Sequence, residues 1–124
     1  MSVVLIVEDN EKNMKLARDV LQAKGYGTLE AVTGEEGVRL AKENKPDLVL
    51  MDIQLPGING IEAFRQLRAD PATAKIPVAA LTASVTPADR SEISRAGFDA
   101  FLGKPIVLRE FLETVKRLLE GVRA

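Results

Sequence analysis

The sequence predicts an α/β fold, with five parallel strands, each followed by a helix, in a sheet covered on both faces. Three observations carry that prediction. Short apolar runs such as Val3-Val4-Leu5-Ile6-Val7 and Leu48-Val49-Leu50-Met51 lack polar alternation, the pattern of strands buried on both sides. Between such runs lie segments whose apolar residues recur at helical spacing. Glycine, proline and capping residues punctuate the boundaries, and the alternating order implies right-handed parallel crossovers.

The first strand ends at Glu8-Asp9. Asn10 is a good N-cap for a helix over residues 11–24, where Met14, Ala17, Val20 and Leu21 are the apolar set and Gly25 is the stop. Residues 26–32 form a weaker strand with polar members, expected at a sheet edge. Thr33-Gly34 turns into a helix over 35–44, with Thr33 as its cap and Val38, Leu40 and Ala41 apolar. Pro46 leads into the third strand, which ends at Asp52, and Pro56-Gly57 forms the loop beyond it. A helix over 60–69 carries Ile61, Phe64 and Leu67, and Asp70-Pro71 breaks it. The fourth strand, 76–81, ends at Thr82. Small residues at 83–86 lead to a helix over 87–96, with Thr86 as N-cap and Pro87 at the first helical position. Gly97 ends that helix. The last strand, 98–102, is followed by the turn Gly103-Lys104-Pro105. A final helix over 107–121 carries Leu108, Phe111, Leu112, Val115, Leu118 and Leu119.

The 124 residues make one domain, 1–124, with a 46% hydrophobic and 28% charged composition that builds a core without staples. The chain has no cysteine and no histidine. That excludes disulfides, thiolate chemistry, a histidine base or metal ligand, and a phosphohistidine carrier within this chain. Asp and Glu remain as hard-cation ligands. Net charge is −1 with the two signs mixed, and no basic run suggests a nucleic-acid partner. No apolar stretch approaches membrane-spanning length, and residues 1–7 lack a cleavage signature. The cytoplasm is therefore the expected location. No output domain is expected after the last helix, and a monomer is the expected state.

In an open parallel sheet, ligands bind at the carboxyl ends of the strands. Four of the five strands carry a polar signal there. Glu8 and Asp9 follow the first, Asp52 ends the third, Thr82 ends the fourth, and Lys104 lies just past the fifth. With strand order 2-1-3-4-5, the first and third strands are neighbours, and Glu8, Asp9 and Asp52 would share one pocket. Taken singly, each residue has a plain structural account: acids cap helices, lysines are solvated, threonines close strands. Their agreement along one edge favours a site. Clustered carboxylates repel and burial raises the cost. A hard dication removes the conflict, and Mg2+ suits one or two carboxylates plus water and a phosphate oxygen. Lys104 adds a compact positive charge and Thr82 a hydroxyl donor. The set is suited to binding a phosphoryl group beside a nucleophilic carboxylate.

Glu8-Asp9, Asp52, Thr82-Ala83 and Lys104-Pro105, in this order and at these spacings, resemble the signature of the response-regulator receiver domain of two-component signalling. The resemblance covers essentially the whole chain. Val7-Glu8-Asp9-Asn10, Asn13-Met14-Lys15-Leu16 and the stretch 43–56 are similar to single-domain cell-cycle regulators of that family. The resemblance implies the flavodoxin-like, CheY-like (βα)5 fold with strand order 2-1-3-4-5. It implies Asp52 as phosphoacceptor, with Asp9, Asp52 and the backbone carbonyl of Gln54 binding Mg2+ (or Mn2+) and Glu8 acting through metal-bound water. Lys104 would pair with the phosphoryl group and precede Pro105 by a cis peptide. Thr82 would move to hydrogen-bond the phosphoryl oxygen, and Phe101, at the switch position, would turn inward behind it. Gln54 and Ser84 would tune dephosphorylation. The implied partners are a histidine kinase or histidine phosphotransfer protein, docking near the first helix, and a downstream protein target. The readout face would be the fourth helix, fifth strand and fifth helix. The implied chemistry is confined to the protein's own phosphorylation and dephosphorylation, so the chain is expected to be a signalling phosphoacceptor and not an enzyme.

Other readings stay open on the residues. The chain could be a receiver excised from a hybrid histidine kinase. A metal-dependent phosphatase with an Asp nucleophile would want a second acid where Gln54 stands. An interaction module that no longer takes a phosphoryl group would not need the full residue set, which is present here.

Overall fold

The computed structural model describes residues 2–83 and 87–121. The strands are β1 (Val3–Val7), β2 (Gly27–Ala31), β3 (Leu48–Asp52), β4 (Val78–Thr82) and β5 (Ala100–Gly103). The helices are α1 (Glu11–Ala23), α2 (Gly34–Asn44), α3 (Gly60–Ala69), α4 (Pro87–Ala96) and α5 (Leu108–Gly121). All pairings are parallel, in the order β2-β1-β3-β4-β5, as the sequence predicts. β3 and β4 are buried along their whole length, whereas β2, at the edge, buries only Ala31. That difference is the physical source of the strong apolar runs and of the weak one.

Strand alternation divides the core in two. Val4, Ile6, Leu48, Leu50, Ala79, Leu81 and Leu102 face α1 and α5, meeting Met14, Ala17, Leu21, Phe111 and Val115. Leu5, Val7, Val49, Met51 and Val78 face the other layer, meeting Val38 and Ala41 of α2 and Ala63, Phe64 and Leu67 of α3.

Asn10 and Thr33 cap their helices as predicted, accepting from the Asn13 and Glu36 amides at 3.0 and 3.1 Å. Several boundaries differ from the predicted ones, and each for a local reason. β4 starts at Val78 and not at 76, because Pro77 has no N–H to give a ladder; its carbonyl still accepts from Val49 at 3.0 Å. β5 starts at Ala100 and not at 98. Phe98 instead stacks on Phe64 at 4.1 Å, and the Asp99 carboxylate accepts from the Val78 amide at 2.8 Å. β2 stops at Ala31, since the Val32 amide donates to the Glu36 side chain at 3.0 Å. α1 ends at Ala23, with Lys24 as its C-cap, and α5 begins at Leu108, one residue later than expected. The expected Thr86 cap, and Ser84, lie outside the described residues. No described helix is long and apolar enough to cross a membrane.

Candidate functional site

Register builds the site. Val7 is the β1 partner of Met51 on β3, so Glu8 and Asp52, the next residues on each chain, come side by side. Thr82 is the β4 partner of Gly103, which sets Lys104 one step beyond, its amide donating to the Thr82 carbonyl at 2.9 Å. The Lys104 ammonium lies 2.7 Å from Glu8 Oε1 and donates to Asp52 Oδ2 at 2.8 Å. The Gln54 amide donates to Asp52 Oδ1 at 3.0 Å, and the Asn10 amide donates to Glu8 Oε2 at 3.1 Å. Glu8, Asp52 and Thr82 are each 1–2% exposed. Lys104 is half-buried, while Asp9 and Gln54 are open to solvent.

Glu8, Asp9 and Asp52 each offer a carboxylate oxygen, all within 4.8 Å of one another. Lys104 is the cation beside Glu8 and Asp52. Glu8 Oε1 is buried and, although ion-paired by distance, makes no directed hydrogen bond. Burial pushes the Glu8 carboxyl up to about 7, and its contact with Asp52 adds to this; Lys104 and the Asn10 amide oppose it. Burial would lower the Lys104 ammonium, but its bonds to Asp52 and Glu8 outweigh that and raise it. Three hard oxygen donors, one of them on a carboxyl that burial and Asp52 push up to about 7, fit a small divalent cation.

Thr82 and Phe101 are also placed. Alternation puts Thr82 and Phe101 on one face of the sheet, with Ala80, the β4 partner of Phe101, between them. Phe101 points outward, 39% exposed, with the Arg90 guanidinium 4.8 Å over its ring. A cleft of about 260 Å³ opens beside Thr82, lined by Gln54, Asn59, Ile61, Glu92 and Ile93 among others. The Lys104–Pro105 peptide is cis, as the resemblance implies.

Two residues of the neighbourhood escaped the sequence reading. Gly60 abuts the back of Asp52, where a Cβ would run into the Asp52 carbonyl and come within 2.8 Å of the Ile53 Cα. Arg90 covers the Phe101 ring. A glycine opening a helix and an arginine on an exposed face carry no distinguishing signal of their own.

Comparison with known proteins agrees with this geometry. The response regulator receiver domain family matches residues 4–116. The polar-differentiation response regulators DivK of Brucella anthropi and Brucella ovis are each 47% identical over 116 residues, covering 94% of this chain and 94% of theirs. The signal receiver domain of a histidine kinase from Syntrophus aciditrophicus matches with a TM-score of 0.92 at 33% identity, covering 99% of this chain and 93% of that one. The receiver domain of a sensor histidine kinase from Pseudomonas aeruginosa PAO1, solved with a magnesium ion coordinated in its active-site cleft, matches with a TM-score of 0.89 at 32% identity, covering 95% and 97%. On fold, clustered acids and relatives together, this chain belongs to the response regulator receiver domain family.

Proposed function

We propose that this receiver takes a phosphoryl group onto Asp52 from the phosphohistidine of a histidine kinase or histidine phosphotransfer protein. It then signals by protein–protein contact with a downstream target in the cytoplasm. The observation that supports this best is the Lys104 ammonium held between Glu8 and Asp52, at 2.7 and 2.8 Å, beside the Glu8-Asp9-Asp52 oxygen cluster. The relatives' name points to polar differentiation as the process.

Asp9, Asp52 and the Gln54 carbonyl would hold Mg2+, or Mn2+ in its place, with Glu8 acting through a bound water. When bound, the ion supplies positive charge against the phosphoryl oxygens. The Gln54 amide and Lys104 fix the Asp52 carboxylate through its two oxygens. One of these oxygens forms the bond to phosphorus as the bond to the donor imidazole nitrogen breaks, and the electron pair leaves with the imidazole. Lys104 is already at Asp52 and passes its ammonium to the incoming phosphoryl oxygens. The Thr82 hydroxyl donates to one of those oxygens, and Phe101, on the same face, turns inward. Water reaching the site past exposed Gln54 later hydrolyses the acyl phosphate. The protein's own chemistry ends there.

Intact-mass measurement after incubation with a small phosphodonor and Mg2+ is the test. The wild type gains one phosphoryl group and Asp52→Asn gains none; an equal adduct on the variant overturns the assignment of Asp52.

A further inference from the structure

The loop that would present the Gln54 carbonyl, residues 53–59, is tied to the sheet at its start and closed on itself at its end. The Ile53 amide donates to the Leu81 carbonyl, and the Gly60 amide donates to the Ile53 carbonyl, both at 3.0 Å. Its middle is tied elsewhere. Pro56 and Gly57 are exposed, and Gly57 sits at φ +75°, a conformation that glycine enters without steric cost. Facing them is the N-terminus of α2. Gly34 is buried so closely against the loop that a Cβ there would lie 2.7 Å from Ile58 Cγ1. The Glu35 carboxylate lies over Gly57, where a Cβ would meet Oε2 at 2.7 Å and Oε1 at 2.9 Å. Glu35 Oε2 also accepts from the Ile58 amide at 3.4 Å. A carboxylate in a first helical turn is stabilised by the amide dipoles there, so this acceptor is held where it stands.

We infer that Glu35 is a positioning residue for the site. It clasps Gly57-Ile58 from outside and thereby, with the Ile53 bond to Leu81, fixes the backbone on both sides of Gln54, whose amide holds Asp52 Oδ1. The consequence for metal affinity rests on the proposed role of the Gln54 carbonyl as a ligand. Groups one step behind metal ligands change affinity by about 10–100-fold when removed. Glu35 acts through further backbone, so a loss of about 3–10-fold is the expected scale.

The experiment compares wild type, Glu35→Ala and Glu35→Gln. Isothermal titration gives the Mg2+ dissociation constant, and amide NMR of the metal-free protein reports the Gln54 and Ile58 environments. Glu35→Gln keeps an oxygen acceptor and loses the charge. The expected result is that Glu35→Ala weakens Mg2+ binding about 3–10-fold and moves both amide resonances, with Glu35→Gln staying within about twofold of wild type. Equal losses in the two variants would assign the effect to charge acting through space and overturn the positioning role. Unchanged affinity in Glu35→Ala would overturn it too. If the wild type binds no Mg2+, the ligand reading of Gln54 fails by itself. The metal-free spectra then decide the positioning role: Gln54 and Ile58 shifts in the alanine variant alone support it, and their absence overturns it.

Discussion

Helices α3 and α4 are each ten residues long, line the same cleft, and are held very differently. α3 buries Gly60, Ile61, Ala63, Phe64 and Leu67. Its Phe64 stacks on Phe98, and its Arg68 lies 4.6 Å over the Phe64 ring while donating to the Ile76 carbonyl and to Asp99 at 2.7 and 2.8 Å. Among the described side chains of α4, only Ile93 is buried. Beside it lies a cavity of about 170 Å³ walled by Arg90, Ile93, Phe98 and Phe101. The site thus has one fixed wall and one loose wall. Asp52 leans on the fixed wall through Gly60, while buried Thr82 and exposed Phe101 face the loose one. On the proposed phosphorylation of Asp52, the added charge is expected to be expressed on the α4–β5 side, because weakly packed elements rearrange at the lowest cost.

Core truncation gives the largest effect and tests the contrast directly. Phe64→Ala should lower unfolding free energy by about 3–5 kcal/mol in urea titration, and Ile93→Ala by about 2 kcal/mol. Equal losses would mean that α4 is as firmly packed as α3.

A change at Glu8 comes next, on the fixed side. The folded protein holds the Glu8 proton up to about 7, against an ordinary value of 4.5. It therefore binds more protons than the unfolded chain between those values, and metal-free stability falls as pH rises through that window. Glu8→Gln should flatten this fall, by on the order of 1–2 kcal/mol across the window. Melting at pH 5 and pH 7.5 in chelator measures it; parallel profiles for variant and wild type would show that ionising Glu8 at this buried position carries no penalty.

The smallest effect is on the loose wall. An exposed cation–π contact is worth about 0.5–1 kcal/mol, so Arg90→Ala should shift the outward-to-inward ratio of Phe101 by roughly 2–5-fold toward inward. Aromatic NMR of Phe101 reads that ratio. No change would show that the cavity wall alone, without the guanidinium, keeps the ring out.

What was legible in the sequence had local causes. The all-apolar β1, β3 and β4 runs, the Asn10 and Thr33 caps, and the breakers at Gly25, Asp70-Pro71 and Gly97 depend on near neighbours and on burial of both sheet faces. Together with the alternating order, they placed Glu8, Asp9, Asp52, Thr82 and Lys104 along one edge. The rest needed contacts across crossovers. Lys104 meets Glu8 and Asp52 across 96 and 52 positions of chain, Glu35 meets Ile58 across 23, and Gly60 is required to be small only because the Asp52 carbonyl backs onto it. The outward Phe101 depends on which side chain packs over it. By itself, the sequence determined the layers and the edge where the chemistry lies, because periodicity and capping are short-range. Only the tertiary structure decided how the charges pair and which wall of the site is loosely packed. Those follow from register and packing density, which no local pattern encodes.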